Sequence, residues 1–386
     1  MKLLWINPSF LDYRIPLYRT INHLLNGQFS LIFSKRRVPQ RCIDKIQKNI
    51  GENALGLEKD KLISFGQKIE FANKGISIPF TKGLYKLIKS SKPDIIIAEG
   101  FFQFTPLAVL YSFINRKPLL IAYERTAHTE RNCPLWRRLY RRFIGIFVSG
   151  YIANGQLTKE YLISQGIKRE KIFTGAMCAD SEGLAQKVAA LPSEEKKLIK
   201  TNLIGKEGNG LLYIFVGRII ELKGVNNLLE AWSEHIISNP KDKLLIVGDG
   251  PLLKEYQKTY PNKSIIFTGG IDYSDIYKYY AVSDVFIIPT LEDNWSLVVP
   301  EAMACGLPIA CSIYNGCYPE LVKKDINGIT FDPLKKESII ETLAYFHTQD
   351  LGIMGKNSIE IEKKYNPENT ANNIINAITH IYNSKK

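Results

Sequence analysis

The sequence predicts two open α/β domains in tandem, each a doubly wound parallel sheet, facing one another across a cleft. Three observations carry that expectation. Short apolar runs alternate with helical patterns over residues 1–180. The alternation returns more clearly over 211–345, as six consecutive strand–helix units. Between them, residues 181 to about 210 are polar and end in a glycine-rich turn. The expected organisation is a first domain over 1–190, a second over 205–365, and a tail over 366–386.

In the first domain the candidate strands are KLLWIN (2–7), FSLIF (29–33), DIIIAE (94–99), PLLIAY (118–123) and GYIAN (150–154). The second domain opens with the strand LLYIFV and the helix VNNLLEAWSEHI. There Val225, Leu228, Leu229, Trp232 and Ile236 make one apolar stripe of helical spacing. The strands KLLIVG, SIIFTG, DVFIIP, LPIACS and GITF follow, each with its helix. The tail reads as a final helix with Ile374, Ile375, Ile378 and Ile381 on one face.

Composition narrows the class. With 386 residues, 45% hydrophobic and 23% charged, the chain has room for two cores. No apolar run approaches the roughly 18 residues of a membrane span. The start, MKLLWINPSF, reads as a strand rather than a signal peptide. Six scattered cysteines form no C-x-x-C pair and no Cys/His cluster with metal-ligand spacing, so free thiols in a reducing cytoplasm are expected. Charge is uneven: residues 1–190 hold 30 Lys and Arg against 14 Asp and Glu, a net +16, while 191–386 carry −3. The basic half suits an anionic partner such as a membrane surface, a lipid phosphate or a nucleic acid.

Ligands of such sheets bind beyond the carboxyl ends of the strands, so the loops there come next. In VGRIIELKG (216–224), Arg218 follows a strand and Lys223 precedes a helix. A guanidinium, an ammonium and helix N–H groups together suit a diphosphate; two solvated cations on a loop are the plain alternative. In TLEDNWSLVVPEAMACGLPIA (290–310), Pro300 fits the first helical position and Glu301 the first turn, where an acid is also simply structural. Asp293, Asn294 and Ser296 in the preceding loop supply acceptors for a hydroxyl-rich ligand.

On FVGRIIELKG, LLIVGDGP, VSDVFIIPTLEDNWSLVVPEAMACGLPIA and NGITFDP, in that order, the chain resembles the retaining GT-B glycosyltransferases called family 4, or glycosyl transferases group 1. SGYIANGQLTKEYLISQGI extends the likeness loosely into the first half. The resemblance implies that Arg218 and Lys223 clamp the donor diphosphate and that Glu301 binds the nucleotide ribose. It implies that Asp293 meets the donor sugar, and that the backbone of Leu297 and Val298 approaches the nucleotide and phosphate. One departure stands out: the family usually has Glu-Gly-Phe-Gly where this chain has Asp-Asn-Trp-Ser, and Asp is a methylene shorter. No D-x-D motif occurs, and the family works without a metal clamp, so neither a metal nor a cofactor is expected beside the nucleotide-sugar co-substrate.

The first half is expected to hold the acceptor. Where the family often has a histidine beside the reacting sugar, this chain has Glu124, with His128 four residues on. Either can orient or deprotonate an acceptor hydroxyl, and either can be a helix-start acid or a surface histidine. Asp12, Tyr13 and Arg14, in the first loop, are further acceptor contacts. In RNCPLWRRLYRRFIGIF (131–147), Leu135, Trp136, Leu139 and Phe143 form a helical stripe flanked by Arg131, Arg137, Arg138, Arg141 and Arg142. That pattern suits an anionic membrane surface, or else a packed helix with a solvated basic face. No nucleic-acid motif occurs. The expected protein is cytoplasmic and peripheral on the membrane's inner face, moving a sugar from a UDP-sugar to a lipid-linked or surface polysaccharide. A nucleotide-sugar 2-epimerase of the same fold and a non-catalytic sugar-nucleotide-binding protein are the rival readings.

Overall fold

The computed structural model describes residues 1–65, 76–179, 181–205 and 210–384. The chain divides into two compact units, Met1–Cys178 with Pro367–Lys386, and Ala179–Asn366.

The first unit holds strands β1 (Leu3–Ile6), β2 (Phe29–Ser34), β3 (Ala54–Leu57), β4 (Asp60–Phe65), β5 (Ile76–Thr81), β6 (Ile95–Glu99), β7 (Leu119–Tyr123), β8 (Gly150–Ala153) and β9 (Ile172–Phe173). Its helices are α1 (Ile15–Leu24), α2 (Gln40–Ile50), α3 (Leu84–Ser91), α4 (Thr105–Asn115), α5 (Leu135–Gly145) and α6 (Gln156–Ser164). Seven strands make one parallel sheet in the order β3-β2-β1-β6-β7-β8-β9, and β4 pairs with β5 as an antiparallel hairpin. β1 is apolar throughout and fully buried because helices cover both faces of a parallel sheet. All five strands read from the sequence form. β3, β9 and the hairpin were not anticipated; the two-residue IF of β9 carries no readable period.

The second unit begins with α7 (Glu182–Ala190) and α8 (Ser193–Ile204). Six strands follow: β10 (Leu212–Val216), β11 (Lys243–Val247), β12 (Ile265–Gly269), β13 (Val285–Ile288), β14 (Ile309–Ser312) and β15 (Gly328–Phe331). The helices between and after them are α9 (Val225–Ser238), α10 (Leu253–Thr259), α11 (Ile276–Val282), α12 (Val298–Ala304), α13 (Tyr318–Leu321), α14 (Lys336–Tyr345) and α15 (Leu351–Glu362). The sheet is parallel, in the order β12-β11-β10-β13-β14-β15. All six expected strand–helix units are present. In α9 the anticipated stripe packs down: Val225, Leu228, Leu229 and Trp232 are fully buried, and Ile236 packs against the same core.

The division falls earlier than the polar stretch suggested. α7 and α8 sit on the second unit, where Lys200 pairs with Asp284 at 2.9 Å and Lys187 Nζ donates to Ser274 O at 3.1 Å. Residues 179–190 thus belong with the second sheet and not the first; the end of the stretch, 206–209, lies outside the described residues. The last helix, α16 (Pro367–Asn383), returns to the first unit, packing on α1. Ala371, Ile374, Ala377, Ile378 and Ile381 are buried there; of the expected face only Ile375 stays half-buried.

Both sheets reverse their winding once, at β1/β6 and at β10/β13. At such a switch point adjacent loops run to opposite sides and open a crevice beyond the strand ends.

Candidate functional site

At the β10/β13 switch point of the second unit, backbone contacts bring three loops together. Leu222 O accepts from Leu291 N at 2.8 Å and from Thr290 Oγ1 at 3.0 Å, joining the loops after β10 and β13. Asp293 O accepts from Gly316 N at 2.9 Å, adding the loop after β14. Gly224 permits this approach, and Gly248, after β11, lets that strand's end lie against the end of β10. Gly224 lies at φ +64, and a Cβ there would sit 2.1 Å from Pro289 O; one at Gly248 would sit 1.9 Å from Gly217 O.

That convergence sets Lys223 Nζ 2.5 Å from Asp293 Oδ2, with both side chains mostly buried. Asp293 is held from every side: Ser296 Oγ donates to Oδ2 at 2.5 Å and Trp295 N to Oδ1 at 3.0 Å. Arg218, just beyond β10, is exposed. Glu301 lies in the first turn of α12, its carboxylate receiving Tyr273 Oη at 3.2 Å and Tyr280 Oη at 3.4 Å. Burial pushes its pKa up to about 7, against the two tyrosine hydrogen bonds. Leu297 precedes α12 and Val298 begins it, so Pro300 is the third helical residue and not the first. It is tolerated there because the first four N–H groups of a helix have no intrahelical partner.

Asn315 was missed from the sequence. It is fully buried, and its Oδ1 accepts from Ser296 N at 3.3 Å, while its Nδ2 has no partner. The Asn-Gly dipeptide after an apolar strand was the available signal.

The other switch point, in the first unit, opens a pocket of about 290 Å³. Asn7, Tyr13, Arg14, Glu99 and Glu124 line it. Arg14 is 7% exposed. Glu99 accepts from Trp5 Nε1 at 3.0 Å and Asn7 Nδ2 at 3.3 Å. Burial raises the Glu99 pKa, and the Arg14 charge opposes the rise. Of the residues anticipated here, Tyr13, Arg14 and Glu124 meet in the pocket; His128 and Asp12 do not line it. Asp12 turns to α2, pairing with Lys45 at 2.7 Å and Arg41 at 3.0 Å. Desolvation opposes that pairing, yet the two cations hold its carboxyl down at about 2.

α5 shows its apolar side outward. Leu135, Trp136, Leu139 and Phe143 are 41–70% exposed, and Ile146 just beyond is 76% exposed. Phe147 touches Phe143 and the exposed Phe113 of α4, each at 5.6 Å between rings, which joins the two helices' outer faces. One of the five arginines does not flank this stripe. Arg141 is buried and grips Glu130 with two bonds of 2.8 and 2.9 Å.

A further group escaped the sequence reading because its members lie far apart in the chain. His235 Nε2 and His347 Nε2 each lie 2.8 Å from Asp242 Oδ2, and the three are the one set among the described residues with ligand atoms clustered as a metal would need. Asp242 precedes β11, so the group sits at the amino end of the sheet, away from the loops of the β10/β13 switch point.

Comparison with known proteins matches residues 196–365 to the family model "Glycosyl transferases group 1". An uncharacterized glycosyltransferase of Methanocaldococcus jannaschii is 32% identical over 284 residues, 68% of either chain. The chain belongs to the glycosyl transferases group 1. A sulfoquinovosyl transferase of Arabidopsis thaliana is 28% identical over 307 residues, 75% of this chain and 57% of that protein. The Escherichia coli UDP-Gal:α-D-GlcNAc-diphosphoundecaprenol α-1,3-galactosyltransferase is 32% identical over 178 residues, 43% of this chain and 44% of its own. The chain spans about half the length of the curated relatives it first matches. The crystal structure of Anabaena HepE in complex with UDP superposes with a TM-score of 0.73 at 16% identity, covering 98% of this chain and all of that one. The fold is accordingly GT-B, two Rossmann-like parallel-sheet domains.

Proposed function

We propose that this group 1 member transfers a sugar, with retention of anomeric configuration, from a UDP-sugar to a lipid-linked or surface polysaccharide acceptor. The observation that carries the reading is the cluster of Lys223, Asp293 and Ser296 at the β10/β13 switch point, with Arg218 exposed just beyond β10 and Glu301 in the first turn of α12. Breaking the anomeric C–O bond leaves negative charge on the departing diphosphate. Arg218, Lys223 and the amides of Leu297 and Val298 stabilise that charge as it develops. Glu301 accepts the ribose hydroxyls, and Asp293, already held by Ser296 and Trp295, accepts from the donor sugar. The two cations take the part a divalent ion would otherwise play, so no metal or cofactor is required.

In the first unit the polar pocket takes the acceptor sugar, with Glu124 orienting its hydroxyl; His128 stands outside that pocket and has no assigned step. A relative acting on a diphosphoundecaprenol-linked sugar supports the lipid-linked acceptor. The outward apolar face of α5, with Arg138 and Arg142 beside it, supports peripheral binding of residues 131–147 to an anionic inner membrane face. No described helix is long and apolar enough to cross a membrane.

The test is a reaction of UDP-sugars with polyprenyl-diphosphate-linked saccharides, the product's new linkage read by NMR. An α linkage from an α-linked donor is expected. An inverted linkage, or turnover of the donor to an epimer without any acceptor, would reject the reading.

A further inference from the structure

The first unit carries a second cavity, of about 300 Å³, between α5 and α6. Phe101, Tyr151, Leu162 and Ile167 give it an apolar and aromatic wall. Its charge is of one sign: Arg138, Arg142, Lys168 and Lys171 are exposed on its lining, and no carboxylate lines it. Among the described residues none of these four cations has an ion-pair partner. An apolar hollow ringed by unpaired cations is complementary to a molecule with an apolar chain and an anionic head.

Two more observations point to a ligand. Tyr123 and Arg141 line this cavity and the polar pocket alike. They are 5% and 8% exposed, yet Tyr123 Oη and Arg141 Nε have no hydrogen-bond partner. A buried polar group without a partner is costly, a cost that a bound oxygen removes. The cavity also continues the outer apolar face of α5, because the exposed Ile146 belongs to both.

We propose that this cavity holds the apolar segment next to the phosphate of a lipid phosphate, with Arg138, Arg142, Lys168 and Lys171 on the phosphate oxygens. Tyr123 and Arg141, on the wall shared with the polar pocket, donate to the saccharide side of the same molecule. The assignment rests on the lipid-linked acceptor proposed above and gives that acceptor's anchor a place.

Decyl phosphate, kept below its aggregation concentration, is the probe, with inorganic phosphate and decanol as controls, all titrated calorimetrically into the full chain. Decyl phosphate is expected to bind at least about tenfold more tightly than either control. Ile167→Trp, which fills the cavity, and the surface double variant Lys168→Glu/Lys171→Glu are each expected to weaken it about tenfold. The charge reversal lies on the surface, so its loss of binding does not stem from unfolding. Equal binding of inorganic phosphate would make this a free-anion site, and equal binding of decanol an apolar one; either result overturns the proposal. So would wild-type affinity in both variants. UDP-sugar titration of the same samples keeps the two readings apart. Nucleotide binding without decyl phosphate binding rejects the cavity assignment alone, and the reverse rejects the donor site alone.

Discussion

Glu301 and Lys223 are where the donor reading is most exposed to test. Glu301 titrates near 7 because burial disfavours its charge. In the free protein the folded state therefore keeps a proton that the unfolded chain, with its carboxyl near 4.5, has lost. The contribution of Glu301 to stability thus declines as pH rises from 4.5 to about 7. A carboxylate that accepts ribose hydroxyls must be ionised, so nucleotide affinity runs the other way. It is expected to fall about tenfold from about pH 8 to about pH 6, and Glu301→Gln should abolish that slope. Isothermal titration at several pH values checks both. For the diphosphate contacts, Arg218→Ala and Lys223→Ala are each expected to lose ~1.5–3 kcal/mol of UDP binding, the worth of a charge-assisted hydrogen bond. Wild-type affinity in both would remove the diphosphate assignment. The sequence made Arg218, Lys223, Asp293 and Glu301 legible because each follows a recognisable strand. It hid Asn315 and Glu99, whose importance comes from burial and from neighbours about 20 to 90 positions away.

At the scale of elements, α5 inverts the usual arrangement. Its stripe of Leu135, Trp136, Leu139 and Phe143 faces outward, and Arg141 faces in. The periodicity of LWRRLYRRF was readable, but periodicity does not say which face is covered. Removing one partner of a buried ion pair leaves an uncompensated charge. Glu130→Ala is therefore expected to destabilise the first unit by ~3–5 kcal/mol, seen as a lowered thermal transition. The outward stripe makes a separate prediction. Trp136→Asp/Phe143→Asp should cut binding to anionic vesicles at least about tenfold in a co-sedimentation assay, since each buried apolar side chain contributes ~1.5–3 kcal/mol. Unchanged sedimentation would leave α5 without a membrane role. The strand IF of β9 shows the limit of such reading, since two residues are too few to display a period of two.

Across the whole molecule, both sheets and their winding were legible, because apolar runs alternating with helical stripes admit few topologies. The boundary was not. Residues 181–190 are polar like a linker, yet they fold as α7 on the second unit, held through Lys187 and its neighbours. α16 returns to the first unit, so a change near the chain's end should loosen its beginning. Ile378→Ala, at a fully buried position in that core, is expected to cost ~2–5 kcal/mol. Hydrogen exchange should rise in β1 and α1 while the second unit keeps its protection; a rise confined to α16 would argue that the helix is only loosely docked. The central claim is that the β10/β13 switch point holds a nucleotide-sugar. The most direct measurement is binding and slow hydrolysis of a panel of UDP-, GDP- and TDP-sugars by wild type, Glu301→Ala and Asp293→Ala. One UDP-sugar should be favoured, with binding weakened by the first substitution and sugar preference altered by the second. Binding of no nucleotide-sugar, or binding indifferent to both substitutions, would contradict the claim.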